Sequence, residues 1–233
     1  RPVSLPVDAA SGYQPTAESV AAAWTARTRA LLVASPANPT GTMLSPESLK
    51  AIAATVSAKG GALVVDEIYH GLTYGTDART ALEVGDHIFV INSFSKYFGM
   101  TGWRLGWLVV PPTFLRGVEK LAQNLYICPS TVAQHAALAA FDPATLTILE
   151  QRRDAFRRRR DLLVPGLREI GFEVAAEPAG AFYAYANIGR FATDSFRFAE
   201  RMLDEAGVAA TPGIDFGSNA PSMHMRFSYA IDL

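Results

Sequence analysis

Cysteine is almost missing from this sequence: Cys128 stands alone among 233 residues. That excludes an internal disulfide framework and suits a reducing, cytoplasmic compartment. An excess of one charge sign is also missing. The formal net charge is −1, so no global field draws nucleic acid or an anionic membrane. No apolar run approaches the roughly 18 residues that a membrane helix requires. The opening stretch RPVSLPVDAASG has no secretory core. His70, His87, His135 and His224 show no metal-ligand spacing, and none sits beside a cysteine pair. There is no G-x-S-x-G nucleophile elbow, no G-x-G-x-x-G fingerprint and no internal repeat.

What is present is apolar. Hydrophobic residues make up 49% and charged ones 18%, a balance that builds a large core and leaves apolar surface for a partner subunit to cover. ALLVAS (30–35) reads as a buried strand leading into the loop PANPTG. Ser45 then reads as an N-cap with Pro46 at the first helical position, and Gly60–Gly61 stop the helix. ALVVD (62–66) and IFVIN (88–92) are further buried strands, and residues 30–66 form a right-handed parallel βαβ unit. Only 93–104 separate IFVIN from LGWLVV (105–110), at the lower limit for a parallel crossover, and that loop is Gly-rich, so the fourth strand is expected to be antiparallel. Helices follow at 113–122 and 130–141, then a longer one from near Pro143 towards Arg168 with Pro165 close to its end. Strands near FEVAA, AFYAYA, VAAT and HMRFSYA and a helix at 194–206 complete the chain. The expected fold is α/β. A large domain over 1–150 holds a mostly parallel sheet with one antiparallel strand, and a smaller α+β domain covers 151–233.

In open α/β sheets, ligands bind outside the carboxyl ends of the strands. Asn38, Asp66 and Ser93 fall at three such ends, and Arg104 leads the antiparallel strand at the same edge. Between His87 and Arg116 the only charged residues are Lys96 and Arg104. Apolar surroundings disfavour the charged form of an amine, and a neutral amine forms a Schiff base with an aldehyde. Ser93, Ser95 and Arg104 suit a phosphate dianion. Asp66 can pair with a protonated ring nitrogen, and Tyr69 and Asn38 can hydrogen-bond a phenolate. Aldehyde, phenolate, pyridine and phosphate together describe pyridoxal 5′-phosphate.

SPANPTG (35–41), DEIY (66–69), SFSKYFGMTGWRLGW (93–107), PAGAFYAY (178–185) and RFSYA (226–230) occur in the order and spacing of class I/II aminotransferases. The sequence resembles that family over essentially its whole length. The resemblance implies the fold type I of PLP-dependent transferases. It implies Lys96 as the Schiff-base lysine and proton-moving base, Asp66 as partner of the pyridinium nitrogen, and Tyr69 and Asn38 on the ring oxygen. Ser93, Ser95 and Arg104 would form the phosphate cup. Arg226, assisted by Asn38, would clamp the α-carboxylate of an amino acid or 2-oxo acid. A cis Asn38–Pro39 bond and a cytoplasmic homodimer are implied as well. The family pattern extends beyond both ends of this sequence, so the activity is expected of the full-length parent.

Blander readings stand beside these. Lys96 could be an exposed loop lysine, Asp66 the cap of a following helix, Arg104 the partner of a structural carboxylate, and Arg226 a strand ion-pair residue. The RRRR run (157–160) reads as a solvated helix face paired with Glu150, Asp154 and Asp161. The alternative functions are a β-lyase or synthase of the same fold, the ligand-sensing domain of a transcription regulator, or an inert fragment.

Overall fold

The structure, a computed structural model, describes residues 1–76 and 78–231. It divides into two compact units. The sheet unit comprises Thr16–Pro36 and Leu44–Asp154, and the clamp unit comprises Arg1–Pro15, Ala37–Met43 and Ala155–Leu233.

In the sheet unit, strands β1 (Ala30–Ala34), β2 (Ala62–Asp66), β3 (Phe89–Ser93) and β4 (Gly106–Val109) lie side by side in that order. β1, β2 and β3 run parallel, and β4 is antiparallel to β3 with Ser93 opposite Gly106, as expected. Helix α1 (Ala17–Ala23) packs on α2 (Pro46–Ala58), which packs on β2. Ser45 caps α2, its hydroxyl accepting from the Ser48 N–H at 3.1 Å, and Leu49, Ile52, Ala53 and Val56 form its buried stripe. Val33, Leu63, Val65 and Val90 are buried, but Leu32 is 65% exposed. The expectation that ALLVAS is buried throughout is therefore corrected: successive side chains point to opposite faces, and β1 covers only one. α3 (Leu115–Leu125) and α4 (Thr131–Ala139) follow.

The long helix α5 (Pro143–Ile170) passes through Pro165, and the division between the units falls within it, after Asp154. In the clamp unit, β5 (Tyr183–Asn187), β7 (His224–Ser228) and the two-residue β6 (Thr211–Pro212) form an antiparallel sheet in the order β5-β7-β6. Helix α6 (Ser195–Ala206) starts at Asp194, whose carboxylate accepts from the N–H groups of Phe196 and Arg197, and ends at the left-handed Gly207. Val164 and Leu167 of α5, Phe172, Val174, Ala184, Ala186, Met225 and Phe227 make the core.

Two expectations are corrected here. FEVAA is not a strand: Glu173 makes one isolated bridge to Asn187, while Phe172 and Val174 go into the core. Its apolar alternation marks burial rather than a ladder. The RRRR run is not wholly a solvated face. Arg153 pairs with Glu150, and Arg157 with Asp161, as expected. The Arg160 side chain, however, is only 14% exposed, and it donates to the Pro178 carbonyl at 2.9 Å while pairing with Asp161. Arg159 donates to the Ala230 carbonyl at 3.1 Å. Loop carbonyls need donors, and this end of the run supplies them. Among the described residues, no helix is long and apolar enough to cross a membrane.

Candidate active site

The parallel run of β2 and β3 brings Asp66 and Ser93 to one edge of the sheet, and the antiparallel β4 starts at that edge, two residues after Arg104. Asp66 is half-buried, and its Oδ1 accepts from the Ile68 N–H at 3.0 Å. This is a turn, since residues 68–71 form no helix; the helix-cap reading of Asp66 is corrected. Burial pushes its carboxyl above the ordinary carboxylate range, and the Ile68 N–H pulls the other way. The next residue, Glu67, is buried and accepts from Thr80 Oγ1 at 3.1 Å and from the Ala81 N–H at 2.6 Å. His70 Nδ1 lies 3.4 Å from Glu67, and burial holds this imidazole below its ordinary range despite that neighbour. The turn carrying Asp66 and Tyr69 is thus fixed from beneath.

Lys96 is half-buried, with its Nζ 5.6 Å from the centroid of the buried Tyr69 ring. Its loop is closed on itself. Phe94 and Leu105 pair through the Phe94 N–H at 3.1 Å, Met100 donates to Phe94 at 2.9 Å, and Gly99 donates to the Lys96 carbonyl at 3.1 Å. Phe94 and Met100 pack on Ala137 of α4 and Ala140, and Phe94 lies 4.9 Å from Phe98 and 5.1 Å from Trp107, ring to ring. Lys96 therefore sits on a packed aromatic support, not on a loose surface loop. The Ser93 hydroxyl donates to Ser95 Oγ at 2.9 Å and accepts the Ser95 N–H at 3.0 Å, while Thr101 Oγ1 donates to the Ser95 carbonyl at 2.7 Å. Arg104 is exposed in the left-handed region, at φ 54°, with its Nη1 on the Thr101 carbonyl at 2.9 Å. A non-glycine residue held there costs on the order of 1–3 kcal/mol, and such positions collect at functional sites. Among the described residues, no carboxylate pairs with Arg104, against its structural reading.

The clamp unit holds the other two predicted residues. Arg226 Nη1 donates to Asn38 Oδ1 at 2.8 Å, and Nη2 donates to Thr211 Oγ1 at 3.1 Å. The guanidinium carbon lies 4.2 Å from the Tyr183 ring centroid and 4.8 Å from that of Phe216. Nε is buried, and among the described residues it has no hydrogen-bond partner. No carboxylate pairs with Arg226 among those residues either, so the ion-pair reading is corrected. Asn38 lies in a tight loop, with the Ala37 N–H on the Thr42 carbonyl at 2.9 Å and cis bonds at Ser35–Pro36 and Asn38–Pro39. Gly41 is left-handed, and a Cβ there would meet Pro178 Cβ at 2.7 Å and the Gly180 carbonyl at 2.8 Å. Its own carbonyl accepts from the Ala179 and Gly180 N–H groups at 2.9 Å. The SPANPTG and PAGAFYAY segments meet at that glycine.

The structure thus gathers Asp66, Tyr69, Ser93, Ser95, Lys96 and Arg104 in one unit and Asn38 and Arg226 in the other. Thr211, Glu67 and Thr101 escaped the reading of the sequence. Only the acid following Asp66 in DEIY offered a signal, and two adjacent carboxylates do not announce which is buried.

Comparison with known proteins gives the family. A family model described as aminotransferase class I and II matches residues 1–232. A valine–pyruvate aminotransferase of Mycobacterium tuberculosis is 42% identical over 98% of this chain and 59% of its own length. An aspartate/prephenate aminotransferase of Thermus thermophilus is 40% identical over 94% of this chain and 56% of its own length. The crystal structure of an aminotransferase from Mycobacterium tuberculosis superposes with a TM-score of 0.93 at 42% identity, covering 98% of this chain and 59% of that one. The chain spans less than two thirds of the relatives it matches.

Proposed function

As the chain belongs to the class I and II aminotransferases, we propose that the full-length protein moves an amino group between an L-amino acid and a 2-oxo acid. Pyridoxal 5′-phosphate is its cofactor. The donor set suits that group: a half-buried carboxyl, an amine over a tyrosine ring, two linked hydroxyls, and a guanidinium held on the Thr101 carbonyl of the same loop. When bound, the cofactor supplies an aldehyde and an electron-withdrawing ring. Lys96 would hold it covalently through Nζ, and that amine, once displaced by the substrate's own amine, would be the base that moves the proton. Asp66 would pair with the protonated ring nitrogen; a charged partner there would offset the burial that raises its pKa. Tyr69 would bond the ring oxygen, and Ser93, Ser95 and Arg104 would hold the phosphate. Arg226, with Asn38 beside it, takes the substrate carboxylate. Its unpartnered Nε–H is a buried donor that such an anion satisfies.

The observation that carries this reading is Lys96 Nζ beside the Tyr69 ring, on a loop next to the strand that ends in Asp66. We assign residues 1–150 to the large cofactor-binding domain and 151–233 to the small domain, and we expect a cytoplasmic homodimer. The test is to load the full-length protein with cofactor and add one amino acid without an acceptor. One 2-oxo acid per cofactor sustains transamination. Pyruvate and ammonia in continuous turnover would make it a lyase, and binding without product would make it a sensor.

A further inference from the structure

Tyr97 follows Lys96, and its surroundings give it a role that the proposed reaction leaves unassigned. Its hydroxyl donates to Glu150 Oε1 of α5 at 2.6 Å, and the other Glu150 oxygen holds Arg153. Its ring lies against Gly71, at the end of the turn that carries Asp66 and Tyr69. Gly71 is left-handed, and a Cβ there would come within 2.5 Å of the Tyr97 ring. Tyr97 also meets Phe98 edge-on at 5.1 Å, and so joins the aromatic support of the lysine loop. Two residues on, Arg152 covers Gly99 closely enough that a Cβ would sit 2.5 Å from its Nη1.

We propose that Tyr97 is a positioning residue: pinned to α5 by Glu150 and seated on Gly71, it fixes the Lys96 backbone against the turn bearing Asp66 and Tyr69. This rests on Lys96 being the cofactor-binding lysine. The neighbouring residue in the chain takes the strain of the loop, so the amine can move a proton without the loop shifting with it. Burial and the Glu150 carboxylate push the Tyr97 phenol up to about 12, so it stays protonated and serves as a donor rather than an acid or base.

The test is a double-mutant cycle in the full-length, cofactor-loaded protein. Tyr97→Phe keeps the ring and removes the tether, and Glu150→Ala removes it from the helix side. Each is expected to lower kcat about tenfold with KM unchanged, since roughly 1.4 kcal/mol corresponds to a factor of ten. The double variant should lose no more than either single one, because all three remove the same bond. Two further readouts separate positioning from bare stability. The pH dependence of the visible band of lysine-bound cofactor should shift in the variants, and Glu150→Gln, which keeps an acceptor, should restore both that band and kcat. The kcat loss should be constant between about pH 6 and 9, as a group protonated throughout requires. Additive losses, an unmoved band, or no rescue by glutamine would overturn the proposal. If Tyr97→Phe does not fold, Glu150→Ala and Glu150→Gln carry the same comparison. Failure of the wild type to bind cofactor at Lys96 would instead remove the premise.

Discussion

The two units build their polar groups by opposite means. In the sheet unit the candidate residues lie between Asp66 and Arg104, and the bonds that set them are short-range: Ser93 to Ser95, Asp66 to Ile68, Arg104 to Thr101. In the clamp unit the central bond joins Arg226 to Asn38, 188 residues apart. A strand end and its following turn can shape the first group almost alone. The second exists only once the antiparallel sheet and the 37–43 loop have folded together.

The widest separation between the two should come from Lys96→Ala against Arg226→Ala. Lys96→Ala is expected to abolish covalent attachment of the cofactor, read by borohydride reduction and peptide mass spectrometry. Arg226→Ala should leave attachment intact and lower kcat/KM for every amino acid by about 10- to 100-fold, mostly through KM, as loss of a charge-assisted contact implies. Equal damage to attachment by both would erase the division of labour. Gly41→Ala sharpens it further. Its Cβ would press on Pro178 and Gly180, so we expect a destabilisation of about 1–3 kcal/mol and a raised KM with attachment kept, measured by denaturant unfolding and steady-state kinetics.

The smallest effect concerns Asp66. Burial raises its folded pKa above the ordinary 3.8, so the folded state keeps this proton longer than the unfolded chain does. Its contribution to stability is full below 3.8 and is lost as pH rises through the folded value. Asp66→Asn should therefore flatten the fall in melting temperature above pH 4 in cofactor-free protein, while weakening the cofactor-loaded form. A steeper fall in the variant would reverse the assigned sign.

Much of the sheet unit was legible. ALVVD coincides with β2, Ser45–Pro46 marks the start of α2, and the short, Gly-rich 93–104 connection pointed to the antiparallel β4. These features depend on residues close in sequence. The clamp unit was less legible for the matching reason. FEVAA carries a strand pattern yet pairs at one residue, and Thr211 gives no local sign that it will meet Arg226. Arg160 looked like one more solvated cation until α5 turned it onto Pro178. Partners far along the chain leave no trace in the spacing of neighbours.

The alternation along β7 ties two opposite environments to one register. Met225 and Phe227 face the core while Arg226, between them, faces Asn38. A slip of one residue in the pairing of β7 with β5 would exchange the two sets at a stroke, sending a guanidinium into hydrocarbon and turning a phenyl ring towards Asn38.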